Sequence, residues 1–137
     1  MLANDILPQW ITSASPITFA YRDLIGQDRW ETTWVPVRTG WTDVGTPVVT
    51  ARFTVRGKQC FIQVQVVPAT TVATVAGTSY IGLPIPASGL AGDGSMSDVT
   101  TLVAIGACAF DVTNSRIYVP AQVATGDTLQ IAGWYEV

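Results

Sequence analysis

Residues 49–67 constrain the chain more than any other stretch, because they read as a pair of β-strands. Val49, Ala51, Phe53 and Val55 alternate with Thr50, Arg52, Thr54 and Arg56. A period of two puts the first set on one face of a strand and the second on the other. Gly57-Lys58 then forms a two-residue turn, with Gly supplying the positive φ that a type II′ hairpin requires at its first position. The return strand, 59–67, turns Cys60, Ile62, Val64 and Val66 to one face and Gln59, Gln63 and Gln65 to the other. A hairpin with one apolar face is not stable alone and must cover that face with a second layer.

The same language continues to the C-terminus. Thr- and Val-rich runs at 71–75 and 79–83 flank a turn at Ala76-Gly77. The glycines of 87–95 predict an irregular loop. A strand over 101–112 is expected to turn at Thr113-Asn114-Ser115 and return through 116–119. Val123 leads to a turn at Gly126-Asp127. In the final strand, 128–137, Leu129, Ile131 and Tyr135 face one way and Gln130, Trp134 and Glu136 the other. Helical periodicity is nearly absent. The expected fold is all-β: an antiparallel β-sandwich of jelly-roll type with about eight strands in 34–137. Residues 1–33 differ. Pro8 and Pro16 interrupt them, the apolar residues keep no period, and at most one short helix is possible, at 21–26. This irregular N-terminal arm is expected to lean on a partner or a neighbouring subunit.

Composition points the same way. Hydrophobic residues make up 48% and charged residues 12%, about half the charged share usual in soluble domains. Further copies of the chain, or a larger assembly, are therefore expected to cover part of its surface. Membrane insertion is not expected, since no apolar run approaches the roughly 20 residues of a spanning helix. The start, Met1-Leu2-Ala3-Asn4-Asp5, also lacks the cationic stretch of a secretory signal. A net charge of −3 with seven basic residues argues against nucleic acid. Arg52, Arg56 and Lys58 cluster only as one solvated sheet face.

The inventory leaves little room for catalysis. The sequence has no His, so neither a Ser–His nor a Cys–His nucleophile pair can form. Cys60 and Cys108 read as small buried hydrophobes, with a disulfide left open, and without CxxC spacing no zinc site is expected. No phosphate loop or dinucleotide fingerprint occurs. Asp93, Asp98, Asp111 and Asp127 sit beside turn residues, where Asp caps backbone amides; a calcium ion between Asp93 and Asp98 is the lesser alternative. No enzyme, metal or cofactor is expected. Binding remains. Trp34, Trp41, Tyr80, Tyr118, Trp134 and Tyr135 could each stack on a sugar or pack inside the protein. The glutamine-bearing face fits a subunit contact or wet groove as well as an ordinary solvated surface.

Trp34-Val35-Pro36 with Gly40, the run from Ala51-Arg52-Phe53 through Gly57-Lys58 to Cys60-Phe61-Ile62, Gly82-Leu83-Pro84-Ile85, and the closing Ala132-Gly133-Trp134-Tyr135 together carry a resemblance. Over about 34–137 the chain resembles the C-terminal domains of bacteriophage tail-fibre and tail-spike proteins. That resemblance implies a jelly-roll-like homotrimer in the virion, presenting a receptor-binding tip to bacterial surface glycans. The arm, with Trp10, Phe19, Tyr21 and Trp30 as its anchoring side chains, would then join other virion proteins. The chain departs from the family in having only about 33 residues before the domain and no repetitive shaft. This leaves a capsid decoration protein or head fibre, gripping the shell through the arm, as the alternative.

Overall fold

The computed structural model describes residues 29–89 and 92–137. These form an all-β antiparallel sandwich, with no helix among the described residues. The strands are β1 (Arg38–Thr39), β2 (Thr42–Val44), β3 (Val48–Arg56), β4 (Gln59–Val67), β5 (Thr71–Thr74), β6 (Tyr80–Gly82), β7 (Gly92–Asp98), β8 (Val103–Asp111), β9 (Arg116–Tyr118), β10 (Gln122–Thr125) and β11 (Leu129–Glu136). Eight of them form one curled sheet in the order β1-β6-β9-β8-β7-β11-β4-β3, and the other three form a second sheet, β10-β5-β2. Hairpins make the β3–β4, β7–β8 and β8–β9 pairs. The last strand leaves β10 of the small sheet through a short turn, crosses to the large sheet and lies between β4 and β7.

The hairpin read from sequence forms in the expected register. Arg56 pairs with Gln59 across the turn, and Gly57 has a φ of 60°. Cys60, Ile62, Val64 and Val66 are buried as one face of β4. They meet Leu129, Ile131 and Tyr135 of β11, Met96 of β7, and Ile81 and Ile117 of β6 and β9 in one core. Val72 and Ala124 bring the three-stranded sheet into that same core. Burying each large aliphatic side chain contributes about 1.5–3 kcal/mol, so this shared layer holds the sheets together. Polar contacts then fix the connections: the Thr74 hydroxyl donates to the Pro120 carbonyl at 2.7 Å, and the Ser79 hydroxyl donates to the Gly40 carbonyl at 2.6 Å.

Two parts of the sheet differ from the sequence expectation. Residues 87–95 are not wholly irregular, because β7 begins at Gly92. Its inward positions 92 and 94 are glycine because another side chain fills that space. A Cβ at Gly92 would lie 2.8 Å from Cγ of Phe110, and one at Gly94 would lie 3.2 Å from Phe110 Cε2. The Phe110 ring instead packs on Tyr135, with ring centroids 5.5 Å apart. The strict alternation of β3 also lapses near its end, where Thr54 is buried and Val55 is 37% exposed. Here the chain preceding β1 returns alongside β3. Glu31 and Phe53 exchange two backbone hydrogen bonds, of 2.7 and 3.0 Å, so the ladder extends into the stretch that reads as the arm.

Both cysteines are buried free thiols. Native protein is therefore expected to resist a bulky disulfide reagent such as DTNB at neutral pH and to titrate both thiols once denatured. Rapid reaction of either thiol in the native state would contradict the packing around β4 and β8.

Candidate functional site

Alternation along β3, β4, β11 and β7 gives the large sheet a second, outward face. The registers set its rows. Thr54, Phe61, Trp134 and Asp93 lie side by side across the four strands; Arg52, Gln63, Ala132 and Ser95 form the next row, and Thr50, Gln65, Gln130 and Ser97 the one after. Neighbouring strands lie about 4.8 Å apart, so each row is a line of closely spaced side chains. The glutamines that sequence reading placed on one face therefore join a wider surface of amides and hydroxyls.

A trough of about 410 Å³ is sunk into this face between Trp30 and Trp134, within the roughly 300–1,000 Å³ typical of small-molecule sites. Phe61, Gln63, Asp93 and Ser95 line it, together with the backbone at Gly94 and Gly133. The Arg52 guanidinium lies 4.7 Å from the centre of the Trp30 ring, an attractive stacking of cation on aromatic face. Its Nε also donates to Gln63 Oε1 at 2.7 Å. That bond fixes the amide, leaving Gln63 Nε2 as its donor end.

The structure separates the sequence candidates. Trp134 and Trp30 meet at the trough. Trp10, Phe19 and Tyr21 lie outside the described residues. Trp34 packs edge-on against Phe53 at 6.2 Å. Trp41 leans on the core, donates its indole N–H to the Tyr80 carbonyl at 3.2 Å, and carries Arg38 over its ring. Tyr135 is fully buried; its hydroxyl donates to the Ile85 carbonyl at 2.7 Å and accepts from the Ile85 amide at 3.2 Å. Tyr80 and Tyr118 form a separate surface pair, with Arg116 over the Tyr80 ring at 4.4 Å and within 3.7 Å of Asp111.

The acids also divide. Asp98 accepts hydrogen bonds from the amides of Thr100 and Thr101 at 2.8 and 3.1 Å, and the Thr101 hydroxyl and these amides hold its carboxyl below the ordinary range. Asp111 caps Asn114 in the same manner and is likewise lowered. Both match the turn-capping role read from sequence. Asp93 and Asp98, five residues apart on β7, point to opposite faces and cannot share an ion. No cluster of three or more metal-ligating side chains occurs among the described residues. Asp93, expected from sequence to cap a turn, instead stands on β7 with Ser95 and Ser97, because the glycines at 92 and 94 belong to the strand and not to a loop. The available signal was their own period of two, polar at odd positions and Gly or Met between.

Chemically, this arrangement offers two indole rings, one amide donor, one hydroxyl and one carboxylate. Among the described residues that line the trough, Asp93 is the carboxylate. No protein family, no characterised protein sequence and no solved structure matches this chain.

Proposed function

We propose that this is a non-catalytic virion protein of a bacteriophage: a homotrimeric, fibre-like component whose β-domain contacts bacterial surface glycan and whose chain ahead of Trp30 joins other virion proteins. The observation that carries the reading is the trough between Trp30 and Trp134 on an amide- and hydroxyl-rich sheet face. Sugars offer apolar C–H faces to aromatic rings and hydroxyls to amides and carboxylates, and this face supplies both partners. The resemblance of residues 34–137 to tail-fibre and tail-spike domains supplies the particle.

Surface composition supports assembly. Val35, Val37, Val44, Val48, Val75, Leu102, Val103 and Val123 are each more than half exposed, while charged residues make up only 12% of the chain. Contact between copies would cover part of that aliphatic area. Light scattering after size exclusion is expected to give three times the 14.6 kDa chain mass. A monomer at micromolar concentration would remove the fibre reading. Immunolabelling of particles then separates the tail-fibre role, with few copies at the tail, from the capsid-decoration role, with many over the head.

A further inference from the structure

We infer that the trough takes a linear glycan of about three neutral hexose units, lying across the strands from Trp30 to Trp134, and discriminates against uronate-type chains. The inference rests on the glycan-contact reading and narrows its ligand.

Direction follows from the ladder. Glu31 pairs with Phe53, which places Trp30 opposite Thr54 at the head of the row that continues through Phe61 to Trp134. Three inter-strand steps separate the two indoles along that row, about 14 Å in all. Each step is close to the advance of one hexose in an extended chain. A chain lying along the strands would meet only one of these rings. A chain lying across them meets both, with Phe61 beneath its middle.

Charge selection follows from the polar groups. Arg52 lies at the Trp30 end, stacked on that ring and bonded through Nε to Gln63 Oε1; it does not line the trough, whose far end carries Asp93 beside Trp134. Among the described residues lining the trough the carboxylate is Asp93, whose oxygens accept hydrogen bonds. A hydroxyl satisfies it by donating. A sugar carboxylate cannot donate and is repelled by it. Gln63 Nε2 and the Ser95 hydroxyl supply the complementary donors.

The test uses the full-length protein with neutral hexose trisaccharides of α and β linkage and with tri-galacturonate of equal length. Calorimetry and tryptophan fluorescence provide the readouts. A neutral trisaccharide is expected to bind and perturb the indole emission. Trp134→Ala should weaken it about thirtyfold, as removal of a central aromatic anchor does. Asp93→Asn alters an exposed side chain outside the core. It should weaken the neutral ligand about five- to tenfold through loss of a charge-assisted bond, while improving tri-galacturonate. Circular dichroism of both variants reports whether the sheet is intact. Tighter binding of tri-galacturonate, lost in Trp134→Ala, would overturn the ligand class and leave the glycan-contact reading standing. Neutral binding unchanged by Trp134→Ala in a folded protein would overturn the site. Failure of these probes and of a panel of bacterial surface polysaccharides would overturn both.

Discussion

Gly133→Ala is expected to cost about 3 kcal/mol of stability, at the upper end of what overpacking costs, and to lower Tm by roughly 10 °C. β11 is central in the large sheet, paired on one side with β4 and on the other with β7. Gly133 stands opposite Ile62 on β4 and Gly94 on β7. A Cβ at that position would fall 2.5 Å from the Asp93 carbonyl oxygen and 2.8 Å from the Gly94 Cα. Both are backbone atoms, so no rotamer change relieves the contact; the two strands must part, straining the hydrogen bonds between them. Gly77→Ala serves as the control. Gly77 has a φ of 74° with open space around it, so its cost is confined to backbone strain of about 1 kcal/mol. Urea denaturation of both variants decides the matter. A Gly133→Ala protein no less stable than Gly77→Ala would mean that β7 and β11 do not approach this closely. Because the same strands form the trough floor, a surviving Gly133→Ala protein should also bind the trisaccharide proposed above less well.

The legible and illegible parts of this molecule divide by physical cause. The β3–β4 hairpin could be read because a two-residue period, β-branched residues and a turn glycine all agree over 49–67. The inward set of β11 was legible for the same reason. β7 was not, because Gly92 and Gly94 look like loop until Phe110 is known to fill the space above them. That is a tertiary fact, and local propensity carries no trace of it. The site divides in the same way. Trp134 and Gln63 could be placed outward by counting, whereas pairing Trp134 with Trp30 needed the Glu31–Phe53 bridge, which joins residues distant in sequence. Trp30 reads from sequence as part of the arm; in the structure it stands on the outward face of the large sheet, opposite Thr54 and against Arg52.

Rising pH is expected to destabilise the β-domain from about pH 8.5, where unfolded thiols begin to ionise, upward toward the folded-state value of Cys108. Three buried acids drive it. Burial pushes the Cys108 thiol up to about 12. Burial also raises Cys60, and Tyr135 is raised first by burial and then by its contact with Cys60. In each case the folded state holds the proton more tightly than the unfolded chain, whose thiols ionise at about 8.5 and phenols at about 10. The associated stability is therefore complete below those unfolded values and is lost as pH rises toward the folded ones. Within that window a raised thiol such as Cys108 removes about 1.4 kcal/mol per pH unit. Cys108 alone removes about 3 kcal/mol between pH 9 and 11, a large share of a domain total of about 5–15 kcal/mol. Cys108→Ala should move the alkaline midpoint upward even though it trims the core slightly. Far-UV circular dichroism and thiolate absorbance, followed together against pH, check the mechanism. Coincident transitions are expected, because the thiols ionise only as the sheet opens. Thiolate appearing near its ordinary pKa while the β-signal persists would show that water reaches Cys60 and Cys108 in the native fold, and the core described around β4 and β8 would be wrong.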